Sequence, residues 1–200
     1  MPQGFTIQDI AQDTALVMEA LKLHGAYVLG ISQGGMVAQE LAIRHPELVG
    51  RLALACCPAR PNDALREKVA QWTALAQQQD FPALASTFLT QMYSPTYVKK
   101  YKPLFQVLTR KFAPTNLDRF IILIQASLTG DAYDRLPEIR CPAFVIGGAL
   151  DQVVTKEAME ELAQRLRCPI YLYQSLGHSA FQEAKDFNTR VLDFFAGKTL

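Results

Sequence analysis

The sequence predicts an α/β fold in which a predominantly parallel sheet is flanked by helices and interrupted by a helical insertion. Three observations carry this reading. Short apolar runs without alternation, AYVLGI at 26–31, RLALACC at 51–57 and AFVI at 143–146, have the pattern of strands buried on both faces of a parallel sheet. Helical periodicity alternates with those runs, which is the order of βαβ units. Between residues 58 and 137 the strand signal vanishes and helical spacing takes over.

Each element follows from local chemistry. A helix is expected from Ile7 to Leu23: Thr6 followed by Asp9 is a variant capping box, Ile10, Val17 and Leu21 repeat at helical spacing, and Gly25 ends it. The strand Ala26–Ile31 runs straight into the glycine-flanked SQGG. A second helix is expected from Gly35 to Arg44, stopped by His45-Pro46, and a second strand from Arg51 to Cys57. The insertion, roughly 80 residues long and so beyond an ordinary loop, carries Trp72, Phe88, Met92, Tyr93, Phe105, Phe112 and Phe120 between prolines 82, 95, 103 and 114. After Pro137 the earlier pattern resumes with a strand at Ala143–Ile146, a helix at Lys156–Leu166, a strand at Ile170–Tyr173 and a last helix at Ala184–Phe195. The expected organisation is therefore a core of residues 1–57 and 138–200 and an insertion of residues 58–137.

Composition narrows the function classes. Half of the 200 residues are hydrophobic and a fifth charged, the balance of a globular domain with a real core. A formal net charge of +1 argues against broad electrostatic binding of nucleic acid or an anionic membrane, and leaves a local patch open. No apolar run reaches the length of a membrane span, and MPQGFTIQDIAQDT has no signal-peptide pattern. Four cysteines, Cys56, Cys57, Cys141 and Cys168, make neither a disulfide framework nor a CxxC metal pattern. A reduced, cytoplasmic protein that needs no metal or organic cofactor is expected.

The chemistry gathers at three places. Gly30-Ile31-Ser32-Gln33-Gly34 matches G-x-S-x-G between a buried strand and a helix. Glycines permit a tight reversal there, and the turn lifts Ser32 Oγ above the sheet edge at the positive end of the next helix. A glycine-rich packing turn is the plain alternative; neither phosphate-loop pattern is present. A serine needs a base. Of three histidines, His24 and His45 sit at helix ends, where a cation meets the last carbonyls favourably. His178 lies in a loop at the C-terminal end of a strand, the edge where parallel sheets place their sites. The base in turn needs a carboxylate to fix its tautomer. Asp151, directly after the AFVI strand, is preferred; Asp63, after the second strand, competes, and Asp131 and Asp134 read as turn or helix-start residues. Cys56 and Cys57 read as small buried strand-end residues.

The order Ser32, Asp151, His178 resembles that of the α/β-hydrolase fold, and so does the wording GISQGGMVAQELAIRHPELVGRLAL, FVIGGALDQVV and LGHSAFQE around the three. The resemblance covers the whole chain and points to cap-bearing esterases, lactonases and similar hydrolases of small acyl compounds. It implies that Ser32 is the nucleophile, His178 the general base and acid, Asp151 the orienter, and the Gln33 backbone N–H an oxyanion donor. It also implies that the insertion is a cap, that the partner is a small-molecule acyl substrate, and that no cofactor is needed.

The same resemblance exposes a gap. In the family several strands precede the elbow, and the loop that gives a second oxyanion N–H lies among them. Loss of one such donor costs on the order of 100- to 1,000-fold in turnover. The AYVLGI strand, central in the family order, becomes an unprotected apolar edge. Three explanations follow: Met1 is not the true start, the edge pairs with a second copy in a homodimer, or the chain is an inactive descendant that binds a ligand without hydrolysing it.

Overall fold

The computed structural model describes residues 4–111, 114 and 116–198. Four parallel strands, β1 (Ala26–Ile31), β2 (Val49–Ala55), β3 (Ala143–Gly148) and β4 (Ile170–Tyr173), form one sheet in the order β1-β2-β3-β4. Alternation decides the faces. Leu52, Leu54 and Val145 point to one side, beneath α1 (Ile7–Ala20), α2 (Gln33–Arg44) and α7 (Lys156–Leu166). Ala53, Ala55, Phe144 and Ile146 point to the other, beneath α9 (Phe187–Phe195), whose Phe187, Val191 and Phe194 close that smaller core. Among the described residues, the α-helices between β2 and β3 are α3 (Asp63–Gln77), α4 (Phe81–Met92), α5 (Pro95–Lys111) and α6 (Asp118–Ala126).

Several boundaries differ from the sequence reading, each for a local reason. The capping box of α1 forms, Thr6 Oγ1 accepting from Asp9 N while Asp9 accepts from Thr6 N, but the helix ends at Ala20. There Lys22, at φ 56°, turns the chain left-handed before Gly25 does. Helix α2 starts at Gln33, two residues early, because Ser32 alone absorbs the reversal. Strand β2 is shifted to Val49–Ala55: Val49 pairs with Ala26, and Cys56, at φ 49°, ends the strand while its N–H still donates to Ile146 O at 3.0 Å. The last helix, expected from Ala184, starts at Phe187 as α9, and a separate short helix, α8 (Ala180–Glu183), precedes it across a break. Asp186, in the break, accepts from Tyr173 Oη at 3.0 Å and Arg190 Nε at 2.8 Å, so its side chain serves the strand and the new helix together.

The expectation that AYVLGI is buried on both faces is corrected. As an edge strand β1 pairs with β2 alone, and Tyr27 and Leu29 remain 58% and 37% exposed, with Phe195 of α9 against the Tyr27 ring. The unprotected apolar edge expected on the other ground is present. Trp72 is core, stacked on Phe88 at 4.3 Å between centroids, whereas Phe112 lies outside the described residues.

Candidate active site

Ser32 stands between β1 and α2 with φ 53° and ψ −122°, a conformation that costs a non-glycine residue on the order of 1–3 kcal/mol. Two backbone bonds hold it there: its N–H donates to Ala55 O of β2 at 2.8 Å, and its carbonyl accepts from Gly35 N at 2.9 Å. The turn requires α2 to run close over β1. A Cβ on Gly30 would come within 2.5 Å of the Gly34 carbonyl oxygen, and one on Gly35 would overlap the Cys57 side chain. A Cβ on Gly34 would meet no atom within 4 Å, so the packing demand falls on Gly30 and Gly35 instead of the motif's last glycine. The adjacent Gly34-Gly35 pair was the visible signal for this.

The strand ends bring the other two residues to the serine. His178 Nε2 lies 2.8 Å from Ser32 Oγ, and His178 Nδ1 lies 2.8 Å from Asp151 Oδ2. Both the imidazole and the carboxylate are fully buried. The second carboxylate oxygen accepts from Val153 N at 2.8 Å and Val154 N at 3.0 Å, which fixes its rotamer. With Nδ1–H donating to Asp151, Nε2 is the free acceptor and the Ser32 hydroxyl its donor. The loops carrying acid and imidazole are tied to each other, Leu150 N donating to Leu176 O at 2.9 Å and Ala149 N to Tyr173 O at 2.9 Å. A Cβ on Gly148 would overlap the Leu176 and Gly177 carbonyls, so glycine is what lets these loops meet.

The competing residues are elsewhere. His24 is exposed, and His45 caps α2 with Nδ1 3.7 Å from Glu47. Asp63 is exposed on the first turn of α3 behind its N-cap Asn62. Asp131 accepts from Tyr133 N in a turn, and Asp134 is exposed. Gln33 is the first residue of α2, where backbone N–H groups have no intrahelical acceptor. Its side chain does work that sequence reasoning missed: Nε2 donates to Leu123 O and, at 2.8 Å, to Ser127 Oγ, tethering α6 to the elbow. Residues just after the histidine anchor the other helices. Ser179 N donates to Met92 O at 2.7 Å, and Glu183 accepts from Ser94 N at 2.9 Å and from Ser94 Oγ.

Among the described residues, Glu19, His45 and Glu47 have ligand atoms within 4.8 Å of one another, but two are exposed carboxylates and the third already pairs with one of them. Burial keeps the Cys56 thiol well above its ordinary range and pushes Cys57 up to about 12, so both are neutral thiols at pH 7. Beside Ser179 lies a cavity of about 520 Å³ walled by Leu84, Phe88, Leu89, Phe105, Phe120 and Phe181. Among the described residues no side chain in its lining is charged. Two of its polar groups are turned on other protein atoms: Tyr93 Oη donates to Gln182 Oε1, and Thr109 Oγ1 to Phe105 O.

A family model described as alpha/beta hydrolase fold matches residues 1–184. The chain belongs to the alpha/beta hydrolase fold family. Among curated relatives it is similar to 3-oxoadipate enol-lactonase 2 of Acinetobacter baylyi, 27% identical over 154 residues, which cover 76% of this chain and 56% of that protein. The chain thus spans little more than half the length of that lactonase. Among solved structures, the enol-lactonase from Burkholderia xenovorans LB400 superposes with a TM-score of 0.84 at 26% identity, covering 98% of this chain and 75% of that one. MGS-M2, an alpha/beta hydrolase enzyme from a Medee basin deep-sea metagenome library, reaches 0.92 at 24% identity over 100% of this chain and 75% of its own, a likeness of fold. In this chain the serine, acid and histidine follow the C-terminal ends of β1, β3 and β4.

Proposed function

We propose that this alpha/beta hydrolase is a serine hydrolase that cleaves an ester or related acyl bond of a small molecule through an acyl-enzyme. The observation that carries the reading is the unbroken hydrogen-bonded line from Ser32 Oγ through His178 to the buried Asp151 carboxylate. Ser32 Oγ attacks the acyl carbonyl while its proton passes to His178 Nε2. Asp151 holds the imidazole in the productive tautomer and stabilises the imidazolium. The oxygen that gains charge turns toward the Gln33 backbone N–H at the positive end of α2. His178 then protonates the leaving group, and a water activated at the same Nε2 releases the acid.

On this reading residues 58–137 are a cap on a core of 1–57 and 138–200, and the cavity beside Ser179 receives the acyl chain. An apolar, uncharged acyl group suits its walls, because a buried carboxylate would lose its hydration without gaining a partner. The four free cysteines fit a reducing compartment such as the cytoplasm.

Turnover of p-nitrophenyl butyrate tests the assignment. Ser32→Ala and His178→Ala should each lower kcat by at least about a thousandfold, and unchanged rates in either variant contradict it.

A further inference from the structure

The cavity beside Ser179 has aromatic and aliphatic walls and few polar groups. Tyr93 Oη donates to Gln182 Oε1 and Thr109 Oγ1 to Phe105 O, so these two hydroxyls commit their protons to the protein. Ser179 does not. It stands directly before α8, where a serine hydroxyl ordinarily accepts from a backbone N–H of the first turn, yet no such capping bond forms. Its backbone is engaged: the N–H donates to Met92 O at 2.7 Å, and the carbonyl accepts from Gln182 N at 2.8 Å. Its Oγ meets no hydrogen-bond partner among the described residues, although Ser179 is only 2% exposed.

A buried hydroxyl left without a partner is destabilising, and native structures rarely leave one so. Gln39 Oε1 and Thr73 Oγ1 are unpaired too, but both are enclosed by protein and neither lines this cavity. Ser179 lines it and follows the base His178 in the chain. Consecutive Cα atoms lie about 3.8 Å apart, so a group that meets Ser179 Oγ is carried close to the reacting carbonyl. Gln182 also lines the cavity, and with its amide oxygen taken by Tyr93 its Nε2 is the end left to donate.

We propose that Ser179 determines acyl specificity: its hydroxyl holds an oxygen on the first carbons of the acyl chain, so that the preferred substrates are neutral hydroxyacyl or oxoacyl esters instead of plain alkanoyl ones. A hydroxyl donates and accepts, and so meets an alcohol or a ketone oxygen equally well. The rest of the acyl chain lies against Leu84, Phe88, Leu89 and Phe120. A plain alkanoyl chain fits the same walls but leaves Ser179 unpaired, and a site built to bond a substrate oxygen rejects the analogue that lacks it for this reason. The inference rests on the acyl-cleaving reading of the site and names its substrate class.

The test compares p-nitrophenyl octanoate with its 2-hydroxy and 3-hydroxy derivatives on wild type and Ser179→Ala, with circular dichroism showing both folded. For at least one hydroxyl position, the ratio of kcat/KM for the hydroxy ester to that for the octanoate should be about tenfold higher in wild type than in the variant. The intrinsic reactivity of each ester cancels in that comparison. Lost packing at Ser179 would slow all three esters and leave the ratio unchanged, and an unchanged ratio overturns the proposal. Binding gives a readout that needs neither turnover nor the Ser179 variant. Trp72, the chain's one tryptophan, stacks on Phe88 of the cavity wall at 4.3 Å, so its fluorescence reports a filled cavity. In Ser32→Ala, 2-hydroxyoctanamide or 3-hydroxyoctanamide should bind about tenfold tighter than octanamide. Equal affinities, or no binding of any of the three amides, overturn the proposal as well. Selective binding without ester turnover in wild type sinks the proposed chemistry and leaves the role of Ser179 standing; turnover without selectivity does the reverse.

Discussion

Strands β1 and β2 lie side by side in parallel register, Val28 against Leu52 and Leu29 against Ala53, and both are short apolar runs. In β2 every residue from Leu52 to Ala55 is fully buried; in β1 Tyr27 and Leu29 open to solvent. The difference comes from neighbours. β2 has a partner strand on each side and helices over both faces, whereas β1 has one partner and partial cover from α9. An apolar run reports that a strand can be buried, and the surrounding topology decides whether it is. Yet the C-terminal ends of the two strands are tied to each other. Ser32, just past β1, is held by Ala55 of β2, so the open edge does not loosen the elbow.

That contrast can be broken at several strengths. The largest effect is expected at the ordered end: Asp151→Asn, which keeps the shape and removes the charge that selects the histidine tautomer, should lower kcat by about 10⁴. A loss below tenfold would mean that the buried acid is only structural. In the interior, Phe144→Ala should cost about 3–5 kcal/mol in urea unfolding, while Leu29→Ala on the open edge should cost about 0.5 kcal/mol. A Leu29 cost close to that of Phe144 would show that another strand covers β1 in solution, as in the homodimer that was one of the three explanations of the open edge.

A smaller effect separates the buried thiols. Cys57, raised to about 12 by burial, favours the folded state only while its thiol is neutral. An unfolded thiol ionises near its ordinary value, so the unfolded state binds fewer protons above about pH 8.5, and stability falls as pH rises toward 12. In Cys57→Ala the fall in urea midpoint between about pH 8 and pH 10 should be shallower than in wild type. An identical slope would assign the alkaline loss to other groups.

Much of the site was legible because its residues carry chemical signatures. G-x-S-x-G marked Ser32, elimination among three histidines marked His178, and a position just past a strand marked Asp151. Less visible were the supports. The bonds from Gln33 to Leu123 and Ser127, and from Ser94 to Glu183, join residues some 90 positions apart, and no local pattern announces them. Boundaries failed where one residue took a left-handed conformation without being glycine, at Lys22, Ser32 and Cys56.

The central claim is that Ser32 is an activated nucleophile, and intact-mass analysis after exposure to a fluorophosphonate tests it most directly. Wild type and Ser32→Ala are treated in parallel, with circular dichroism confirming that each is folded. The account predicts one adduct on wild type and none on the variant. An adduct on both, or none on a folded wild type, would contradict it.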